Sequence, residues 1–177
     1  MAPTPSPADG SRHSRPDGVT RGESVGLPTV EHTRALGRAL ARVLRAGDLV
    51  VLAGPLGAGK TVLAQGIGLG LGVSGAVTSP TFLLARVHRG GRLPLVHVDA
   101  YRLGSVEEVD DLDLDADLPD SVTVVEWGHG LVEQLADAHL LVRLSRDEAG
   151  EQRTAELVGS GGDWAQRVAG LALTSRS

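Results

Sequence analysis

The chain contains no cysteine. Disulfide frameworks and cysteine-ligated metal sites are therefore excluded. Aromatic residues are scarce: Phe82, Tyr101, Trp127 and Trp164 are the only ones. That is too few for the stacking platforms on which single-stranded nucleic acids lie. The formal net charge is −5, which argues against a broad basic face for nucleic acid but not against contact with RNA through a partner. No apolar run reaches membrane-spanning length, and the first residues lack the apolar core of a signal peptide. The expectation is a soluble, cytoplasmic protein without membrane association, its core built from Leu, Val and Ala.

A length of 177 residues suggests one domain. Met1 to Ser24 holds four prolines and no apolar run. Residues 1–25 are accordingly expected to form a disordered N-terminal tail, and 26–174 a single folded domain.

Lysine is almost absent as well: Lys60 is the only one, all other basic residues being arginine. It lies in Gly54-Pro55-Leu56-Gly57-Ala58-Gly59-Lys60-Thr61, which satisfies the phosphate-cradling pattern G-x-x-x-x-G-K-[ST] at every fixed position. A chain of this length and average composition contains about 0.02 such matches. Leu49 to Ala53, before the loop, is an apolar run of strand length, and Thr61 onward can open a helix. Strand, glycine-rich loop and helix are the context in which backbone N–H groups converge on phosphate oxygens. The compact ammonium of lysine suits that cradle, where a planar guanidinium does not.

Around this centre the chain reads as alternating elements. Val30 to Arg45 has helical apolar spacing, with Thr29 or Thr33 as its cap, Gly47 as its stop, and a solvated arginine face. After the loop, Gly66, Gly68, Gly70 and Gly72 alternate with apolar residues. Either the helix ends near Gly68 or it packs closely against the sheet, and the sequence leaves both open. Thr78-Ser79-Pro80-Thr81-Phe82 reads equally as a γ-phosphate-sensing loop or as a turn entering a strand. Leu83 to His88 and Leu93 to Asp99 form a hairpin about Arg89-Gly90-Gly91-Arg92. An apolar strand ending in Asp99 follows the logic of a magnesium-holding acid at a strand's carboxyl end. His97, on the same face, is read as a hydrogen-bond partner and not a metal ligand. Residues 107–120 hold eight acids. They fail the calcium-loop pattern at Ala116 and Val122, and read as a solvated helix and loop. Val122 to Trp127 is a second strand ending in an acid, Glu126. A short helix over 131–138, strands over 139–145 and 152–158, and a helix over 163–173 capped by Asp163 complete the chain. The fold class expected is α/β: a mixed sheet of P-loop NTPase type, with an inserted antiparallel hairpin and helices on both faces.

Gly54 to Thr61, Ser79-Pro80-Thr81-Phe82, His97-Val98-Asp99-Ala100-Tyr101-Arg102-Leu103 and Val125-Glu126-Trp127, in this order, resemble the TsaE (YjeE) family of small bacterial P-loop ATPases. The resemblance spans about Leu27 to Leu144. It implies ATP and Mg²⁺ as cofactors, and a role in threonylcarbamoyladenosine modification of tRNA beside the TsaD and TsaB partners, with tRNA met only indirectly. It implies that Leu56, Gly57, Ala58, Gly59, Lys60, Thr61 and Val62 bind nucleotide phosphates and that Thr29 lies near the adenine. Thr81 would belong to a switch-like loop. Thr61, Asp99 and Glu126 would serve the metal; Lys60, Asp99 and Glu126 would serve hydrolysis, with Trp127 beside them. Which of the two acids ligates the metal directly stays open. Pro55 departs from the acid often found there.

An ATPase driving a partner complex, slow by itself, is the leading reading, since Arg102 is the one evident candidate for an arginine finger. A small-molecule kinase is the alternative, with Arg86, Arg89 and Arg92 as its only possible lid. A GTPase of the common kind is excluded, because its guanine-reading N-K-x-D segment needs a second lysine. A module that binds nucleotide without turnover is the remaining reading.

Overall fold

The computed structural model describes residues 22–80, 84–147 and 152–171. In chain order the elements are β1 (Glu23–Leu27), α1 (Val30–Val43), β2 (Leu49–Ala53), α2 (Lys60–Leu71), β3 (Ala85–His88), β4 (Leu95–Asp99), α3 (Val106–Asp110), β5 (Val122–Glu126), β6 (His139–Arg146), β7 (Arg153–Ser160) and α4 (Trp164–Ala169). The strands form one sheet in the order β1-β7-β6-β2-β5-β4-β3.

β2 lies at the centre, parallel to both β5 and β6, and β4 runs parallel to β5. Parallel strands covered on both faces read as unbroken apolar runs. Leu49 to Leu52 and all five residues of β4 and of β5 are buried. The margins are antiparallel: β3 with β4, β6 with β7, and β7 with β1. The expected mixed sheet and hairpin are therefore present. β1 corrects the expected tail. Glu23 to Val25 belong to a strand in which Val25 and Leu27 turn inward against β7. The rest of the expected tail, residues 1–21, lies outside the described residues.

Helices cover both faces, unequally. α1, α2 and α4 share one apolar layer with the sheet, through residues such as Leu40, Leu63, Ile67 and Trp164. The opposite face is covered by the short α3 and the turns after it, through Val109, Leu114 and Val132. The acidic stretch forms α3 and two 3₁₀ turns, Leu114–Ala116 and Leu118–Asp120.

α2 does not end at Gly68. It runs to Leu71 and stops at Gly72, whose φ of +75° suits glycine. Its glycines serve helix–helix contact more than sheet contact. A Cβ on Gly70 would stand 2.5 Å from Ala41 Cβ, one on Gly37 of α1 would stand 2.6 Å from Leu63 O, and one on Gly66 would collide with Arg34 O. Gly68 alone faces the sheet side, toward Val77 and Leu95.

Two further expectations change. The helix over 131–138 reduces to one 3₁₀ turn, Glu133–Leu135. The closing helix is only Trp164–Ala169 among the described residues, and Asp163 makes no capping bond. Its carboxylate pairs instead with Arg45 at 2.7 Å and Arg167 at 3.2 Å. Arg167 also grips Asp48 with two bonds of 2.8 and 2.9 Å and covers the Trp164 ring, tying α4 to the start of β2.

Candidate functional site

The site grows from the carboxyl end of β2. Gly54 takes φ +145° and lies so close to Leu144 that a Cβ would strike its carbonyl oxygen. Gly57 and Gly59 also have positive φ, at +78° and +106°. Gly59 caps α2 without any side-chain bond, so first-turn N–H groups remain available to an anion, helped by the positive end of the helix dipole. The loop's other contacts close it on itself. Ala58 N donates to Pro55 O at 3.2 Å. The Lys60 ammonium donates to Gly54 O at 2.7 Å and Pro55 O at 2.8 Å, and stands 3.8 Å from the Trp127 ring centroid. Burial pulls the Lys60 pKa below the ordinary lysine value, while the Glu126 and Asp99 carboxylates oppose that shift.

The two acids arrive from neighbouring strands. Asp99 and Glu126 are in register as the last residues of β4 and β5, so they stand side by side beyond the sheet edge, next to α2. Thr61 Oγ1 donates to Glu126 Oε1 at 3.0 Å or Oε2 at 3.1 Å. His97 Nε2 stands 2.7 Å from Glu126 Oε1, so His97 is a hydrogen-bond partner of an acid. Asp99 accepts from Ser79 Oγ at 3.2 Å and from Tyr101 N at 3.0 Å. The loop carrying Ser79 thus reaches the acid, while Thr81 lies outside the described residues. Trp127 follows Glu126 with φ +62°, a conformation disfavoured for a bulky residue. It meets Tyr101 edge to face at 5.0 Å.

These groups border a cleft of about 490 Å³, within the range of nucleotide-sized pockets. Of the phosphate-loop residues expected to bind, Leu56, Gly57, Gly59, Lys60, Thr61 and Val62 line it. Ala58 is buried beneath them. Asp99, Glu126 and Trp127 line it too. Thr29 does not; it caps α1, accepting from His32 N at 3.3 Å. Its neighbours Val30 and Thr33 line the cleft in its stead. Arg102 is exposed and outside the lining.

Arg153, at the start of β7, lines the cleft and was not foreseen. It lies beyond β6 from the loop, on the side away from β5 and its acid. A Cβ on Gly59 would touch both Thr33 Cγ2 and Arg153 Cδ, at 3.6 and 3.9 Å. Thr33 Oγ1 and Arg153 Nε are buried without a partner. No spacing in the sequence distinguishes Arg153 from the other strand arginines; the pairing of β7 with β6, and of β6 with β2, brings it here.

The hairpin arginines do not form a lid. Arg92 donates to Ala41 O and Leu44 O at 2.6 and 3.0 Å, Arg86 bonds Thr78 at 3.3 Å, and none of the three lines the cleft. Among the described residues, no group of three His, Cys, Asp or Glu side chains is arranged to hold a metal. The oxygen set of Thr61, Glu126 and Asp99 fits Mg²⁺, which keeps waters and substrate phosphates among its ligands.

The family model for "Threonylcarbamoyl adenosine biosynthesis protein TsaE" matches residues 27–155. The chain is 59% identical over 138 residues to the Streptomyces coelicolor tRNA threonylcarbamoyladenosine biosynthesis protein TsaE, covering 75% of this chain and 93% of that one. It is 53% identical over 147 residues to the Mycobacterium tuberculosis protein of the same name, covering 78% and 88%. The crystal structure of Bacillus subtilis YdiB superposes with a TM-score of 0.72 at 26% identity, covering 88% of this chain and 97% of that one.

Proposed function

The chain belongs to the TsaE family, and on that premise we propose that it binds and hydrolyses ATP with Mg²⁺ in the cytoplasm. By this reading it supports threonylcarbamoyladenosine modification of tRNA together with TsaD and TsaB, meeting tRNA only through them. The observation that carries the reading is the convergence of the phosphate loop, Thr61 and two strand-end acids on one cleft.

The chain's own groups divide the work. N–H groups of the loop and of the first turn of α2 hold phosphate oxygens, and Lys60 turns from the Gly54 and Pro55 carbonyls to the β- and γ-phosphates. Thr61 with Glu126 or Asp99 would hold Mg²⁺, which supplies neutralisation of phosphate charge. The remaining acid orders the attacking water. Thr33 and Arg153, whose buried polar atoms lack partners, bind the nucleoside end or the α-phosphate, and Ser79 couples its own segment to Asp99. Turnover is slow in isolation, because Arg102 stands outside the cleft and Arg153 lies on the side away from the acids.

No observation favours the kinase reading, since Arg86 and Arg92 are bonded elsewhere and Arg89 does not line the cleft. An ATPase assay with and without TsaD, TsaB and tRNA tests the proposal. Slow release of phosphate, accelerated by the partners and lost in Lys60→Ala, is expected. Nucleotide binding with no turnover under any of these conditions would leave a sensing module.

A further inference from the structure

His97 is 0% exposed on β4 and sits among Leu95, Val96 and Val98, all buried. An imidazole there adds little packing over leucine and brings two polar atoms that need partners. Nε2 has one, 2.7 Å away at Glu126 Oε1. A carboxylate only accepts, so in this contact Nε2 is the donor. The other claim on Glu126 comes from the Thr61 hydroxyl, at 3.0 Å to Oε1 and 3.1 Å to Oε2. That hydroxyl has an alternative use at a metal. His97, enclosed in the sheet layer, does not.

We infer that His97 is a positioning residue for Glu126: its Nε2–H holds Oε1 and fixes the carboxylate beside the Thr61 hydroxyl, on the side where a divalent metal would be held. The inference rests on the magnesium-dependent reading proposed above. Groups that orient a metal's ligand are commonly buried and hydrogen-bonded to one of its oxygens. A second imidazole is buried on the same face of the sheet. His88 of β3, 6% exposed, faces Leu95, while Arg86 faces His97, so the two histidines are diagonal neighbours on one face. His88 Nε2 and His97 Nδ1 are both buried without a hydrogen-bond partner.

The test uses the full chain and the fluorescent nucleotide mant-ADP, titrated with and without Mg²⁺. His97→Leu is expected to leave the magnesium-free affinity unchanged and to raise the apparent Mg²⁺ dissociation constant about 10- to 100-fold. His97→Gln, which keeps an N–H donor, is expected to recover most of that loss. Unchanged Mg²⁺ dependence in folded His97→Leu would overturn the inference, as would an equal loss with and without Mg²⁺. Should that variant fail to fold, imidazole ¹⁵N NMR of the wild-type chain decides: an Nε2–H tautomer is expected, and an Nδ1–H tautomer overturns the inference. Wild-type protein that binds no mant-ADP at all contradicts the nucleotide reading instead, and the tautomer then decides the role of His97 alone.

Discussion

Lys60 donates to two loop carbonyls and lies over an indole ring in a space that is 5% exposed. A flexible stem with three rotatable donors meets those demands, and a rigid guanidinium fork does not. This is the physical content of a chain that uses arginine everywhere else. The phosphate loop and both strand-end acids were legible residue by residue, because each occupies a fixed place in a local pattern. Arg153 and Thr33 were not, since their place in the cleft depends on which distant strands pair. Arg153 gives the sharpest prediction at this scale. Arg153→Ala should weaken ADP binding about 10-fold, on the order of one charge-assisted hydrogen bond. Its Mg²⁺ dependence should stay intact, because the residue is remote from Glu126. Calorimetric titration checks both, and unchanged affinity would remove Arg153 from the site.

At the level of elements, α1 and α2 are a pair built on absent side chains. In a solvated helix, replacing glycine by alanine gains about 1 kcal/mol. At Gly66 the added methyl meets the backbone of α1 at Arg34, which cannot yield as a side chain would, and overpacking costs about 1–3 kcal/mol. The two terms oppose, and the backbone collision dominates. Gly66→Ala should be destabilised by up to about 2 kcal/mol in urea unfolding, whereas Gly26→Ala, with nothing within 4 Å, should not. A stabilised Gly66→Ala would contradict the close helix pair. Periodicity placed α1, β2 and the opening of α2 correctly. It could not reveal β1, whose two inward residues, Val25 and Leu27, give too short an alternation to separate from coil. Nor could it shorten α4, where Asp163 looked like a cap but is drawn into ion pairs with Arg45 and Arg167.

Across the whole molecule, strand order converts two separate sequence signals into one site. Each acid announced itself as the end of an apolar strand; that β4 and β5 lie side by side in register is a property of the sheet alone. His88, opposite Leu95 at the other end of β4 from Asp99, contributes to the molecule's response to acid. Burial, with the nearby His97 and Arg86 adding to it, pulls the His88 pKa below the ordinary histidine value. Above about pH 6.5 both folded and unfolded chains leave this ring neutral. As pH falls through that value the unfolded chain takes up a proton that the folded chain refuses, so stability falls. The denaturation midpoint should therefore drop between pH 7.5 and pH 5.5, and His88→Leu should remove part of the drop. An identical pH slope in that variant would exclude His88 as a source.

On the function proposed above, the cleft around Lys60 holds the nucleotide whose turnover serves the tRNA-modifying partners. Threonylcarbamoyladenosine formation on tRNA, measured with TsaD, TsaB, ATP and either the wild-type chain or Lys60→Ala, addresses it most directly. Sustained modification with the wild-type chain and its loss with folded Lys60→Ala is the predicted result; equal modification with both would contradict it.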